Sequence, residues 1–208
     1  FKVQTFTITS SAGIGGGISP QGIATLNYGS KPRYTFTPNI GFVLDTLLVN
    51  GVKVDSISSY TFDSVKADQT ILVKFKVQTF TVTSSAGMGG GISPLGDSIV
   101  NYGAKLRYTI TPDTGYLIDT FFVNGIKVDS LNSYTFIANE NTTIKALFKI
   151  KTYYLIATFD NGIIHSVDSI LYDSNTLVRY TWQADTDFVL DSVIVNGIKV
   201  DSADGFTF

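Results

Sequence analysis

Residues 47–54 read LLVNGVKV, and the pattern returns as FFVNGIKV at 121–128 and as VIVNGIKV at 193–200. Each time, two runs of residues that favour β-strands flank an Asn-Gly pair. A type I′ turn requires positive φ at both central positions, and Asn and Gly tolerate that backbone conformation best. The pattern therefore predicts three tight β-hairpins.

Alternation along this hairpin predicts which side chains face the core. Counting outward from the turn, two apolar pairs share one face: Val49 with Val52, and Leu47 with Val54. Polar residues such as Lys53 fall on the other face. We expect one buried and one half-exposed face in every copy.

The hairpin belongs to a longer repeat. Aligned without a gap, residues 1–62 and 75–136 are identical at 42 of 62 positions. A third, more diverged copy begins near Phe148, and residues 205–208 align opposite residues 59–62. We predict three β repeats, the last of them incomplete, with the boundaries 1–77, 78–150 and 151–208.

The residues between the first two copies predict a direct connection. Ile71, Val73 and Phe75 face one side of a strand, whereas Val82 has the opposite phase, so the inward face changes near Gln78. No Gly/Ser- or Pro-rich linker intervenes. We expect the strand that ends one repeat to lead directly into the strand that opens the next.

The periodicity is two throughout, and no stretch shows the helical period of 3.6 residues. The sequence therefore predicts an all-β fold with about six or seven short strands per copy. We expect a tandem, elongated array of small β-sheet modules, each a β-sandwich or β-grasp-like.

Composition excludes several classes of protein. The chain has 15 Lys and Arg against 17 Asp and Glu, so its formal net charge is −2, and a nucleic-acid binder would need a basic patch. The uncharged run 4–30 is interrupted by glycines and hydroxyl residues, so we expect no membrane insertion. Because the chain starts at Phe1 without Met or a signal pattern, we interpret it as an internal piece of a longer protein.

Cysteine is absent and His165 is the single histidine, which excludes thiolate chemistry and a multi-histidine zinc site. We predict no cofactor. His165 is expected on an exposed or half-buried strand face. Trp182 aligns with Phe36 and Ile110 and is expected to pack in the core rather than to stack on sugars.

The two full copies share a fixed order of motifs: FT[IV]TSSAG, GGGISP, NYG, RYT[FI]TP, VNG[VI]KVDS and SYTF. This order resembles the divergent internalin B-type repeats, also called Listeria–Bacteroides repeats. The resemblance implies β modules without catalytic residues or a general ligand, arranged in tandem in large exported bacterial surface proteins. It implies an extracellular location, on the bacterial cell surface or secreted. The Ser/Thr/Asn/Tyr-rich copies also resemble the giant adhesins of Bacteroidetes, including those exported for gliding.

The third copy departs from this order. Residues 158–163 read TFDNGI where the full copies have the Gly-rich Ser-Pro segment, and QAD at 183–185 replaces Thr-Pro-Asn. We align Tyr172 and Asp173 with the Tyr-Gly pair of the full copies.

Two glycine-rich segments, Gly13–Gly17 and Gly87–Gly91, superficially suggest a phosphate-binding loop. Such a loop requires G-K-[ST] and a following helix, whereas ISP and a strand-like segment follow here. We interpret both segments as flexible turns.

Aspartates flank each hairpin and could be interpreted as the paired acids of a glycosidase. They are Asp45, Asp55, Asp119, Asp129, Asp191 and Asp201. A glycosidase needs one asymmetric cleft, which three equivalent copies do not provide. We predict that the chain is not an enzyme and that these residues form solvated cross-strand pairs with Lys53, Lys127 and Lys199.

The third copy is rich in acidic residues, and calcium takes several oxygen ligands. Asp185, Asp187 and Asp191 are therefore candidate calcium ligands, although the chain has no EF-hand pattern.

Tyrosine and arginine recur at equivalent positions in the first two copies, and exposed rings of this kind could bind glycans or proteins. The candidate ligand surface comprises Tyr28, Arg33, Tyr34, Tyr102, Arg107 and Tyr108. Packing of the rings under adjacent loops is the default interpretation, and the ligand surface is the alternative to it.

The leading functional hypothesis is a non-enzymatic extracellular stalk or adhesin array that acts through length and multivalency. Its expected partners are glycans, other surface proteins and neighbouring repeats of the same chain. Two alternatives stay open: a carbohydrate-binding accessory module of a secreted enzyme, and a filament subunit that pairs through an edge strand.

Overall fold

The computed structural model describes residues 2–55, 58–129, 132–155, 158, 162–164, 170–174, 176–200 and 205–207. The regular elements in these ranges are β-strands, which confirms the predicted all-β fold. None of the described residues belongs to a helix that is long and apolar enough to cross a membrane.

Described strands follow the three copies in order. The first copy contains β1 (Thr5–Ala12), β2 (Gly16–Ser19), β3 (Gly22–Asn27), β4 (Arg33–Pro38), β5 (Phe42–Val49), β6 (Val52–Val54), β7 (Ser59–Thr61) and β8 (Gln69–Val77). The second contains β9 (Thr79–Ala86), β10 (Gly90–Ser93), β11 (Gly96–Asn101), β12 (Lys105–Pro112), β13 (Tyr116–Val123), β14 (Ile126–Val128), β15 (Ser133–Ile137) and β16 (Thr142–Ile150). The third contains β17 (Thr152–Leu155), β18 (Gly162–Ile164), β19 (Ile170–Asp173), β20 (Arg179–Tyr180), β21 (Trp182–Ala184), β22 (Val193–Val195), β23 (Ile198–Val200) and β24 (Phe206–Thr207).

Packing divides the chain into two compact units. Unit 1 comprises Phe1–Ser84, Leu95–Tyr108 and Ser133–Ile144, and unit 2 comprises Ser85–Pro94, Thr109–Asn132 and Lys145–Phe208. Unit 1 therefore holds β1–β8 together with segments of the second copy. The repeat boundaries given above follow sequence identity and stay a prediction.

The first copy folds into two sheets. The larger has the strand order β3-β1-β8-β5-β6, with β1 parallel to β8 and the other neighbours antiparallel. The smaller is antiparallel and has the order β2-β4-β7. The parallel pair sets the first strand of the copy beside its last, with Ile8 opposite Gln69 and Ala12 opposite Val73.

Apolar side chains from both sheets form one core in the first copy. Its buried members are Ile8, Leu47, Ile71 and Val73 from the larger sheet, Ile18, Tyr34 and Phe36 from the smaller, and Phe62 and Val65 from the loop after β7. Burial follows the period of two predicted from the sequence, since buried and exposed residues alternate from residue 33 to residue 36 of β4. Two sheets packed face to face form a β-sandwich, so the first copy adopts the sandwich rather than the β-grasp-like alternative.

The structure confirms the three predicted Asn-Gly hairpins. Positive φ angles occur at Asn50 (51°) and Gly51 (79°), Asn124 (51°) and Gly125 (76°), and Asn196 (50°) and Gly197 (83°). Leu47 lies opposite Val54 and is fully buried. Val52 was expected on the same buried face but is 66% exposed, because it adjoins the turn in the edge strand β6.

The glycine-rich segments are more ordered than predicted. Gly16 begins β2, which pairs with β4, and each of the first two copies contains eight described strands rather than six or seven. A Cβ atom on Gly16 would lie 2.5 Å from the ring of Phe75, and one on Gly90 would lie 2.5 Å from the ring of Phe148. Residues 14–15 and 88–89 form turns as predicted, whereas Gly16 and Gly90 begin strands and make room for aromatic rings.

The connection between the first two copies is as direct as predicted. β8 ends at Val77 and β9 begins at Thr79, so Gln78 alone separates two strands that belong to different sheets. Val73 is buried on one phase and Val82 on the other, which confirms the change of inward face at this residue.

The second copy repeats the pairings of the first, as β9 with β11, β10 with β12 and β13 with β14. Residues 1–62 align with residues 75–136 at an offset of 74, but beyond residue 62 the offset is 73. The Gly29 N–H donates to the Val65 carbonyl, whereas the Gly103 N–H, 74 residues later, donates to the Ala138 carbonyl, only 73 residues after Val65. The second copy is therefore one residue shorter in the loop before its last strand.

We predict that Leu47→Ala lowers the free energy of unfolding by about 2–5 kcal/mol, because it leaves a cavity where a buried leucine packed. Leu95→Ala is the matched control, since Leu95 is largely exposed and its loss should cost less than about 0.5 kcal/mol. Urea unfolding followed by far-ultraviolet circular dichroism measures both. Equal costs for the two variants would contradict the assignment of the core.

Candidate binding surface

Tyr34 and Tyr108, predicted as part of a ligand surface, lie in the core instead. Their side chains are 1% and 2% exposed, and burial raises the pKa of both phenols. Each ring packs against a phenylalanine of its own copy, Tyr34 against Phe62 at 6.0 Å between centroids and Tyr108 against Phe136 at 6.3 Å. Neither ring is available to a ligand, so this part of the predicted surface is wrong.

Arg33 and Arg107 are exposed at equivalent positions of β4 and β12. Successive side chains of a strand point to opposite faces, so the burial of each tyrosine turns the preceding arginine outward. Arg33 Nη2 donates a hydrogen bond to Ser59 Oγ at 3.1 Å on the neighbouring strand. The structure therefore separates each arginine from the tyrosine beside it.

Tyr28 and Tyr102 are the exposed tyrosines of the predicted surface. Each lies against a phenylalanine at the start of its own copy: Tyr28 against Phe6 at 6.4 Å and 50°, and Tyr102 against Phe80 at 6.3 Å and 49°. The two pairs have nearly the same geometry, but Tyr28 is 54% exposed and Tyr102 is 38% exposed.

Gly41 of the first copy covers Tyr102. A Cβ atom on Gly41 would lie 2.5 Å from Cδ1 of the Tyr102 ring, and Gly41 has a φ of 79°. Glycine is required here twice over, because the backbone conformation disfavours other residues and the ring leaves no room for a side chain. Tyr102 is thus a contact between the first and second copies.

Gln78 joins the two sides of this contact through its backbone. Its N–H donates to the Gly41 carbonyl at 2.8 Å, and its own carbonyl accepts from the Tyr102 N–H at 2.8 Å. We call residues 39–42 the glycine turn; the Phe42 N–H closes it by donating to the Asn39 carbonyl at 3.0 Å. This contact was not predicted from the sequence. The signals that could have indicated it are the repeated N-Y-G pattern and the glycine before Phe42.

The same backbone bonds recur between the second and third copies. The Lys151 N–H donates to the Gly115 carbonyl at 2.7 Å, and the Ser174 N–H donates to the Lys151 carbonyl at 2.7 Å. Ser174 therefore occupies the position of Tyr102. Our alignment of Tyr172 and Asp173 with the Tyr-Gly pair was wrong by two residues, because a Tyr-containing sequence in the same strand drew the alignment away from the turn.

Asp45, the aspartate at the start of the first hairpin, lies at a strand irregularity. The register between β5 and β8 shifts between Leu44 and Thr46, so Asp45 stands in a bulge. Its carboxylate accepts a hydrogen bond from Thr46 Oγ1 at 3.0 Å and lies 3.4 Å from Lys76 Nζ. The Thr46 hydrogen bond, followed by Lys76, lowers the pKa of Asp45.

The lysine partner of this aspartate differs from the predicted one. Lys76 pairs with Asp45 where we expected Lys53, and Lys149 pairs with Asp119 at 3.6 Å where we expected Lys127. The reason is that the last strand of the copy pairs antiparallel with β5, which brings Lys76 beside the bulge at Asp45, and β16 lies beside β13 in the same way. Both pairs are solvent-exposed, so each contributes little to stability.

Asp68 has a structural role that the sequence did not signal. Its Oδ1 accepts hydrogen bonds from the Thr7 backbone N–H at 2.7 Å and from Thr7 Oγ1 at 2.9 Å. The backbone hydrogen bond, followed by the hydroxyl one, lowers the pKa of Asp68. In the second copy Asn141 Oδ1 accepts a hydrogen bond from the Thr81 N–H at 2.9 Å. A neutral amide oxygen therefore replaces the carboxylate as the acceptor in that copy.

Described residues contain no group of three His, Cys, Asp or Glu side chains that could hold a metal ion. Asp185, Asp187 and Asp191 are exposed and do not form such a group. His165 and Asp201 lie outside the described residues. Trp182 is half-buried in β21, with its Nε1 buried and without a hydrogen-bond partner among the described residues.

Comparison with known proteins bears on this repeat. Residues 80–152 match the model of the divergent InlB B-repeat domain, which confirms the family resemblance predicted from the motifs. No curated protein matches the sequence. Among solved structures, the chain is similar to the Bacillus anthracis TIE protein at 13% identity and a TM-score of 0.36, over 99% of this chain and 48% of that one. The chain thus spans about half the length of that protein.

We predict that Gly41→Ala destabilises the protein more than Gly51→Ala. Both glycines have a φ of 79°, but Gly51 has open space beside it, so its replacement should cost about 1–2 kcal/mol from the backbone alone. Gly41→Ala adds overlap with the Tyr102 ring, which should cost about 1–3 kcal/mol more. Chemical unfolding of the two variants checks this difference, and equal losses would argue against close packing of the ring.

We predict that Asp68→Asn reduces the sensitivity of the first copy to acid. A carboxylate with a lowered pKa stabilises the fold above its unfolded value of about 3.9, and that stabilisation is lost as the pH falls through the folded pKa. Asparagine keeps the acceptor oxygen but does not titrate. Hydrogen exchange of the β1 amides between about pH 5 and pH 2 tests this, after correction for intrinsic exchange.

Asn141→Asp provides the reciprocal control in the second copy. It should introduce acid sensitivity in β9 that the parent chain lacks at this position. An identical pH dependence of protection in the parent and in both variants would contradict the role assigned to Asp68.

Proposed function

From the match of residues 80–152 to the model of the divergent InlB B-repeat domain, we propose that the chain is a non-enzymatic extracellular segment of a large bacterial surface protein. It acts as a stalk or as an adhesin array, of the kind found in giant gliding and adhesion proteins. The observation that carries the proposal is duplication: 42 of 62 aligned positions are identical between the first two copies.

Duplication at this level supports a mechanism that depends on the number of copies in the array. Equivalent groups occupy equivalent places, as the pairs Lys76–Asp45 at 3.4 Å and Lys149–Asp119 at 3.6 Å illustrate. Glycoside hydrolysis uses two carboxyl groups in different environments, which nearly identical copies do not supply. Repetition instead adds length with each copy and multiplies weak contacts through effective concentration.

A carbohydrate-binding module is the second candidate, and the exposure of Tyr28 and Tyr102 favours it. Aromatic rings stack on sugar faces, and two equivalent rings would give two equivalent sites. A filament subunit is the third, since the edge strand β3 carries the exposed side chain of Ile23.

We predict that adding one more copy of residues 1–74 to the chain lengthens its maximum dimension in small-angle X-ray scattering without creating catalytic or glycan-binding activity.

Antibodies against the repeat should label intact cells of the source organism, because the segment lies outside the cell. Absence of labelling on cells that contain the protein would overturn the extracellular assignment.

Glycan arrays separate the candidates. Binding by the intact chain that is lost in Tyr28→Ala and Tyr102→Ala would establish the carbohydrate module instead of the stalk. Concentration-dependent growth of the scattering mass would establish the filament. A monomer that binds no glycan is the result expected for a stalk.

A further inference from the structure

The first copy carries the same aromatic pair that the second copy uses in its contact with the first. Phe6 and Tyr28 lie 6.4 Å apart at 50°, and Phe80 and Tyr102 lie 6.3 Å apart at 49°. Gly41 covers the second pair, whereas Tyr28 retains 54% of its exposure against 38% for Tyr102. We call Phe6 and Tyr28 the Tyr28 surface.

The backbone around the Tyr28 surface also reproduces the joint. Residues 2–6 and 76–80 both read KVQTF. The Tyr28 N–H donates to the Gln4 carbonyl at 2.8 Å, as the Tyr102 N–H donates to the Gln78 carbonyl at 2.8 Å. Every group that the second copy offers to the glycine turn is therefore present in the first.

We infer that the Tyr28 surface is a docking site for the glycine turn of another copy of this repeat, joined on its N-terminal side. The contact Gly41–Tyr102 shows the occupant, the ring that receives it and the connecting residue within one chain. The small contact area favours a copy joined in the same chain over a separate molecule. Stable interfaces between separate molecules bury about 1,200–2,000 Å², far more than one four-residue turn covers. A copy joined through a single residue needs no such area.

The same geometry specifies which copies fit. The turn of the second copy has Gly115 with a φ of 84° and closes through the Tyr116 N–H to the Asp113 carbonyl at 3.0 Å, so it is a suitable occupant. The third copy closes its turn in the same way but places Asp187 there, with a φ of 72°. A side chain at that point would meet the tyrosine ring, so the third copy does not fit the Tyr28 surface.

The experiment duplicates residues 1–74 ahead of Phe1 in the full chain, which recreates the sequence that connects residues 74 and 75. The added copy carries Tyr28→Phe, so that it contributes no tyrosine at this position. Nitration by tetranitromethane is then followed by mass spectrometry of the tryptic peptides 3–33, since trypsin does not cut between Lys31 and Pro32, and 77–105, each of which contains one tyrosine. We expect nitration of Tyr28 to slow to the rate of Tyr102 in the same chain.

Two variants of the added copy serve as a matched pair. Gly41→Ala in the added copy should restore fast nitration of Tyr28, whereas Gly51→Ala, at the same φ of 79° but in open space, should leave it slow. The inference is overturned if Tyr28 in the extended chain keeps the rate of the original chain, or if both variants restore it equally. Protection that rises with the concentration of the original chain would assign the surface to a separate molecule and overturn the covalent joint. None of these outcomes depends on whether the array is a stalk.

Discussion

The parallel pairing of β1 with β8 is the constraint on which the rest of the first copy depends. β8 lies between β1 and β5 in the larger sheet, so residues at opposite ends of the copy must meet before that sheet is complete. Ile71 and Val73, which this strand contributes, are fully buried. The core of the copy therefore closes only with its last strand, and contacts of such long sequence separation carry a high entropic cost.

The same strand determines how one copy follows another. Because β8 is central, the chain leaves the sheet from its middle and must turn to a new sheet within one residue, Gln78. That residue bonds to Gly41 in the turn of the copy just completed and to Tyr102, directly after β11, in the copy just begun. The joint is thus built from backbone groups, with the ring of Tyr102 packed over Gly41.

Much of the fold could be predicted from local patterns, and the rest could not for physical reasons. The Asn-Gly turns and the change of face at Gln78 follow from φ preferences and period two, which act over a few residues. The parallel pair and the salt bridge of Asp45 with Lys76 depend on which distant strand arrives beside which, and no local preference encodes that. Tyr34 was misassigned for a related reason: alternation fixed that Tyr34 and Arg33 face opposite sides, but only the partner sheet decides which side is inside. The role of Asp68 was missed because its acceptor geometry exists only once β1 is in place.

Asp187 gives the glycine position an evolutionary meaning. Genes with nearly identical tandem segments gain and lose copies by unequal recombination, and the new neighbours that result must pack at once. Under the docking that we infer for the Tyr28 surface, a copy with glycine at this point fits ahead of a copy that bears the tyrosine, whereas a copy with aspartate there does not. The absence of one side chain would then decide which segments of the gene can exchange places and which must keep their order.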